Sequence, residues 1–280
     1  MVIEEDELKM ILKNKVFKSW FAWMIFSFFV PLPLLANDQN VPFESTNTQL
    51  SIQLRGMIYS EEELVKGFPK PKQSPLFWFE RKVFPSSNQK LRVERKMYNQ
   101  ANQLVIQETM QYAKGRLTQM TWEQKQIRQK ARIHIHENQV HFEFTDEEGE
   151  VSTNQIPLEN EMIVNDQLGP WVENHFSKLL KGEAGLFKLV LPFRSDALEF
   201  QIQKEKTTEI LVQGKPKKVV QLLMEPSNFI FRIFAPSFIF YADPETRKII
   251  AFRGQMNPKR KNKDGVFEDF KGYMEVEFKD

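Results

Sequence analysis

The stretch HIHENQVHFE, residues 134–143, holds three of the chain's four histidines together with Glu137 and Glu143. Imidazole and carboxylate groups are common ligands of zinc, so this is the first place to look for chemistry. The order His136, Glu137, His141 comes near the zinc-protease pattern His-Glu-x-x-His, but the two histidines stand five residues apart. On a helix that spacing turns the second imidazole ~140° from the first, so the pair cannot chelate one metal as that motif does. The flanks also alternate, with Ile133, Ile135, Phe142 and Phe144 apolar where His134, His136, His141 and Glu143 are polar. Period two signals strand, and the pattern predicts a hairpin with its loop centred on Asn138 and Gln139. In that register Glu137 faces Val140, His136 faces His141, and His134 faces Glu143. Cross-strand Cβ atoms lie ~4.5–5.5 Å apart, close enough for His134, His136, His141 and Glu143 to offer a metal site. The same face carries Arg132, and a solvated strand face is the plainer account.

Two other stretches carry binding chemistry of a less directed kind. FIFRIFAPSFIFY, residues 229–241, contains five phenylalanines, Phe229, Phe231, Phe234, Phe238 and Phe240. They suit either a core or the wall of an apolar pocket, since ligand sites are concave and mostly apolar. PKRKNKDG, residues 258–265, gathers Lys259, Arg260, Lys261 and Lys263. Such a loop either stays solvated or touches anionic lipid headgroups, each charge then contributing about 1 kcal/mol. The acidic run DEEGE, 146–150, reads as a solvated turn. No Gly-x-Ser-x-Gly elbow, phosphate loop or dinucleotide fingerprint occurs, and no cofactor is expected.

The elements that must position these residues are mostly strands. LSIQLRGMIY, 50–59, alternates cleanly, and SEEELVKG, 60–67, has the capping-box pattern of a short helix. FPKPKQSP, 68–75, reads as a linker. A meander follows through PLFWFERKVF, QKLRVERKMY, NQLVIQETMQY, RLTQMTWEQ, KARIHIH and VHFEFTD, separated by turn signals. Within 166–182, Pro170 suits a first helical turn and Gly182 a stop. Val172, His175, Phe176, Leu179 and Leu180 recur at three and four, which predicts an amphipathic helix near 170–181. Strand-like runs resume from LFKLVLP to the C-terminal GYMEVEF and include NFIFRIF and SFIFYAD. Ten to twelve strands and one helix predict a mainly β protein: a large curved antiparallel sheet with the helix on its concave face. The helix stripe needs a cover, so Val172, Phe176 and Leu180 are expected against Phe229, Phe231 or Phe234, with Phe238 and Phe240 beside them.

The N-terminus speaks to compartment. Ser19 to Ala36 is an uncharged run of 18 residues, broken by Pro31 and Pro33, with Lys13, Lys15 and Lys18 before it. The uninterrupted apolar part, Trp20 to Val30, is signal-peptide length, and PLLA followed by Asn37 suits cleavage after Ala36. An uncleaved anchor over 19–36 is the alternative. Four acids in MVIEEDELK precede this signal, and a start at Met10 would give a normal basic leader. The expected organisation is a signal peptide at 1–36, a strand and linker at 37–75, and one β domain at 76–280. The charges, 39 basic against 37 acidic, give a net +2 and no case for nucleic acid. The chain has no cysteine, which excludes disulfides, thiol catalysis and thiolate metal sites.

The signal peptide, the long meander, the mid-chain helix and the late hairpin SFIFYADPETRKIIAFRG together resemble exported lipoprotein-carrier-like half-barrels and related uncharacterised bacterial envelope families. The motif likeness lies in residues 238–254; the rest is layout. The resemblance implies a hydrophobic concavity able to hold a lipid or lipidated segment, and no catalytic residues. Three functions are therefore open: a periplasmic or envelope protein binding an apolar ligand, an interaction protein with a filled core, and a metal-dependent hydrolase using the hairpin histidines.

Overall fold

The computed structural model describes residues 53–64, 73–86, 89–234 and 237–279. The leader, its cleavage point and most of the proline-rich linker lie outside the described residues. The alternating runs form β1 (Gln53–Ser60), β2 (Phe77–Ser86), β3 (Lys90–Asn99), β4 (Leu104–Ala113), β5 (Arg116–Gln124), β6 (Gln129–His136), β7 (Gln139–Thr145) and β8 (Val151–Pro157). After the two-residue β9 (Met162–Ile163) comes helix α1 (Leu168–Leu180). Then follow β10 (Gly185–Leu191), β11 (Asp196–Val212), β12 (Lys215–Pro226), helix α2 (Phe229–Phe234), β13 (Phe238–Ala242) and β14 (Ile249–Gln255). The chain ends with a small hairpin, β15 (Arg260–Lys261) and β16 (Phe267–Glu268), and with β17 (Lys271–Lys279).

Fifteen strands make one sheet in the order β8-β7-β6-β5-β4-β3-β2-β1-β17-β14-β13-β12-β11-β10-β9. All its pairings are antiparallel except β9 with β10. The strand expected over 50–59 is β1, and it lies inside the sheet between β2 and β17. Tight turns enforce the meander. Lys114-Gly115, Glu137-Asn138 and Gln213-Gly214 all have positive φ at both positions, the two-residue turn whose twist matches paired strands. Of the short helix predicted over 60–67, the described residues form a 3-10 turn, Glu61–Glu63, and the Ser60 side chain makes no cap; 65–67 lie outside the described residues.

Helix α1 lies on the concave face. Leu168, Trp171, Val172, Phe176 and Leu179 are buried on one stripe, as the three-and-four spacing requires. Trp171 packs on Phe187 of β10 with ring centroids 4.8 Å apart. A Cβ on Gly185 would sit 2.3 Å from the Trp171 ring, so this glycine lets the helix approach the strand. At its end the Gly182 N–H reaches Leu179 O and the Glu183 N–H reaches Lys178 O, with Gly182 at φ +85°. The helix stripe shares one apolar cluster with Phe79, Phe200, Phe238, Phe240 and Phe252.

A second, smaller cluster covers the opposite face. The register of β11 on β12 shifts between Lys204 and Lys206, and such a bulge bends a strand. The far end of that hairpin leans over β13, β14 and β17, packing Ile210 and Val219 on Tyr59, Tyr241, Ile250 and Tyr273. Two hydrogen bonds fasten it: Tyr273 OH to Leu211 O at 3.2 Å and Gln213 N to Glu275 Oε2 at 3.1 Å. Burial pushes the Glu275 carboxyl up, against the pull of that amide. A carboxyl raised in the folded state stabilises the fold while protonated and loses that contribution as pH rises through its folded pKa. Glu275→Gln, which keeps an acceptor for Gln213, should therefore raise the urea midpoint at neutral pH. The two proteins should converge below the ordinary carboxylate range. A lower midpoint for the variant at neutral pH would show that the charge itself holds the hairpin.

Candidate functional site

The most concentrated set of ionisable groups is one the sequence reading passed over. Strand register aligns Leu54, Arg81, Arg95, Glu108 and Trp122 in one row across β1 to β5. Arg81, Arg95 and Glu108 are all buried, and Asp166, just before α1, is buried above them. Arg81 meets Asp166 through two parallel bonds, Nε to Oδ1 and Nη2 to Oδ2, each 2.8 Å. Tyr112 OH donates to Asp166 Oδ2 at 3.1 Å, and Arg95 pairs with Glu108. Burial pulls the Arg95 guanidinium down to about 9, which still leaves it charged at neutral pH. Burial, then the Asp166 carboxylate, pushes the Tyr112 phenol well up, so it remains a neutral donor. These charges neutralise one another out of solvent, and the arrangement docks the start of α1 onto β2 and β4. It is a structural lock between helix and sheet.

The histidine hairpin forms with its apolar face as predicted: Ile133, Val140 and Phe142 are buried and Ile135 and Phe144 half-buried. Its register differs. His134 faces His141, His136 faces Gln139, and Arg132 faces Glu143. The sequence had placed the loop at Asn138-Gln139 and paired His136 with His141 and His134 with Glu143. Glu137 and Asn138 both accept positive φ, so the turn closes one residue earlier and slides one strand two residues. Arg132, His134, His141, Glu143, Thr153 and Gln155 edge an open depression on the solvent face. The rings of His134 and His136 are 6.2 Å apart, and His136 is exposed. Among the described residues no three His, Asp or Glu side chains converge as a metal would need.

The aromatic run divides. Phe238 and Phe240 are buried with Val172 and Phe176 in the main cluster. Phe229 is 69 % exposed, Leu180 is 40 % exposed, and Phe231 is half-buried with Arg194 over its ring. The side chain of Phe234 lies outside the described residues. Residues 229–234 are helical, against the predicted strand. Pro226 ends β12, and Asn228 Oδ1 accepts the Ile230 N–H at 2.9 Å, an N-cap that starts a helix whatever the alternation. Helix α1 packs on β10 and β11, its Trp171 on Phe187, which in turn stacks on Phe200.

The basic loop is largely used within the fold. Lys259 is buried and paired with Asp269, and Arg260 reaches Glu62 and Glu268. Lys261 and Lys263 are exposed, the Lys261 Nζ lying 5.1 Å over the Phe267 ring. The segment before them bridges to the far half of the sheet. Gln124 donates to Asn257 O at 3.1 Å, and Gln126 exchanges two bonds with the Lys259 backbone, 2.7 and 2.9 Å. This strap ties the segment after β14 to the end of β5 and the turn that follows it.

The protein is thus a mainly β protein built on one curved, mostly antiparallel sheet that does not close into a barrel. No protein-family model and no curated protein matches the sequence. Among solved structures, a beta-barrel-like protein with a domain of unknown function from Brucella abortus aligns over 83% of this chain and 99% of its own, at 9% identity and a TM-score of 0.39. A porin-like protein from Bacteroides uniformis aligns over 73% of this chain and 97% of its own, at 8% identity and a TM-score of 0.18. Neither ties the chain to the lipoprotein-carrier-like half-barrels, whose likeness is one of layout.

Proposed function

We propose that this is an exported, non-enzymatic interaction protein, with a core filled by its own side chains and its working surface on the rim of the sheet. The observation that carries this reading is the closure of α1 on the sheet. Phe176, Phe187, Phe200, Phe238, Phe240 and Phe252 are all fully buried in contact with one cluster, where an apolar ligand would need room. The locked state of the interior charges supports the non-enzymatic part, since Arg81, Asp166, Arg95 and Glu108 bond one another away from any substrate. Export rests on the leader sequence alone. Protein purified from its own cells and delipidated should begin at Asn37 and show no saturable binding of anilinonaphthalene sulfonate. Saturable binding that fatty acid or phospholipid displaces would return the function to lipid carriage in the concavity.

A further inference from the structure

The sheet has two ends, and they are unequal. At one end β9 is only two residues long; at the other β8 presents a full seven-residue strand that pairs with β7 and with no other strand among the described residues. Six of its seven residues are exposed, including Val151. Beside it, the turn before β11 comes against this edge, the Ser195 carbonyl accepting from the Asn154 Nδ2 at 2.7 Å and the start of β11 lying near β8 without a backbone ladder. An edge strand leaves a row of backbone N–H and C=O groups open, and proteins usually blunt such rows with lysine, proline or a bulge. In VSTNQIP only the terminal Pro157 does so.

The segments that flank this edge are acidic, with Lys188 paired to Glu159 and Arg132 on the adjoining face beside Thr153 and Gln155. The chain has 39 Lys and Arg, yet from residue 133 to residue 177 there is none. Asp146, Glu147, Glu148 and Glu150 precede β8, and Glu159 and Glu161 follow it. The Glu147 carboxyl is pushed up by burial and by its neighbours Glu148 and Asp146, opposed by Lys259, in keeping with crowded negative charge. An uncharged strand ~23 Å long, bracketed by acids, is complementary to an extended segment with an uncharged centre and cations at both ends. A second copy of this chain fits poorly, because antiparallel pairing of β8 with itself would set Glu148 and Glu150 against Glu159 and Glu161.

We infer that β8 is a docking edge at which an extended segment of a basic partner protein adds as a further strand. This rests on the interaction-protein reading and supplies its partner class. Backbone pairing would provide the binding and the flanking acids the selection.

The test uses the mature chain and three synthetic peptides: KKTVTVTVKK, its acidic counterpart EETVTVTVEE, and KKTVPVTVKK, whose central proline breaks a ladder. The first should bind at least tenfold more tightly than either other peptide and should protect amides of residues 151–157 from hydrogen exchange. Glu148→Lys combined with Glu150→Lys and Glu161→Lys, all at exposed positions, should weaken it at least tenfold. Absence of binding would overturn the inference, as would equal binding of the proline peptide or protection elsewhere on the sheet. A dimer in sedimentation that protects 151–157 without peptide would replace the basic partner with a second copy. The carrier alternative is read separately, by the fluorescent-probe titration, so failure of the edge and failure of the filled core are distinguishable.

Discussion

Asp166→Ala should destabilise the protein by about 3–5 kcal/mol, the usual cost of removing one member of a buried ion pair. The carboxylate is the meeting point of three groups: it receives both forks of Arg81 and the Tyr112 hydroxyl, and it lies within the field of Arg95. Removing it leaves the buried Arg81 guanidinium without its counter-charge, and desolvation of that cation then acts in full. Two controls separate this from simple loss of packing. Tyr112→Phe, which deletes one hydrogen bond to a charged group, should cost about 1.5–3 kcal/mol. Arg81→Met combined with Asp166→Leu should recover most of the loss, because replacing both charges removes the desolvation penalty along with the attraction. Urea unfolding of the wild type and the three variants at neutral pH measures each cost. If Asp166→Ala costs less than about 1 kcal/mol, the row of charges is not the lock between α1 and the sheet.

Phe176→Ala should cost a comparable ~3–5 kcal/mol, the range for emptying a packed phenylalanine site. Its ring is fully buried in the middle of the α1 stripe, so a cavity left there has neighbours on every side. One turn on, Leu180→Ala offers the contrast. That side chain is 40 % exposed, and its truncation should stay within about 1 kcal/mol. A cost for Phe176→Ala near that of Leu180→Ala would mean that the concavity collapses easily around the site, as a ligand pocket can. Both unfolding curves must keep the same slope for the comparison to hold.

Local pattern alone settled the class of this protein. Alternation at period two marked the strands, and the three-and-four stripe with Pro170 and Gly182 marked α1, because each periodicity reports one exposed and one buried face. The apolar phase of the strands also held a legible clue that went unused. Phe77, Phe79, Arg81 and Val83 share one face of β2; Val93, Arg95 and Met97 share one of β3; Ile106, Glu108 and Met110 share one of β4. A charge in phase with core residues must be buried or break the pattern, and buried charges need partners. Which partners they find was not written locally. Arg81 and Asp166 are 85 residues apart, and only the packing of α1 brings them together. The same holds where the local reading erred. Residues 229–234 alternate like a strand, yet an Asn228 cap beyond Pro226 made them helix and carried Phe229 into solvent. The histidine pairing depended on which two residues took positive φ, a choice of backbone energy that apolar alternation does not constrain. Strand order was likewise a tertiary decision. Nothing in QLRGMIYS says that it pairs with the last strand of the chain, yet that pairing joins the two halves of the sheet and leaves β8 at its edge. Periodicity fixes which face a residue shows, and long-range contacts fix what that face meets.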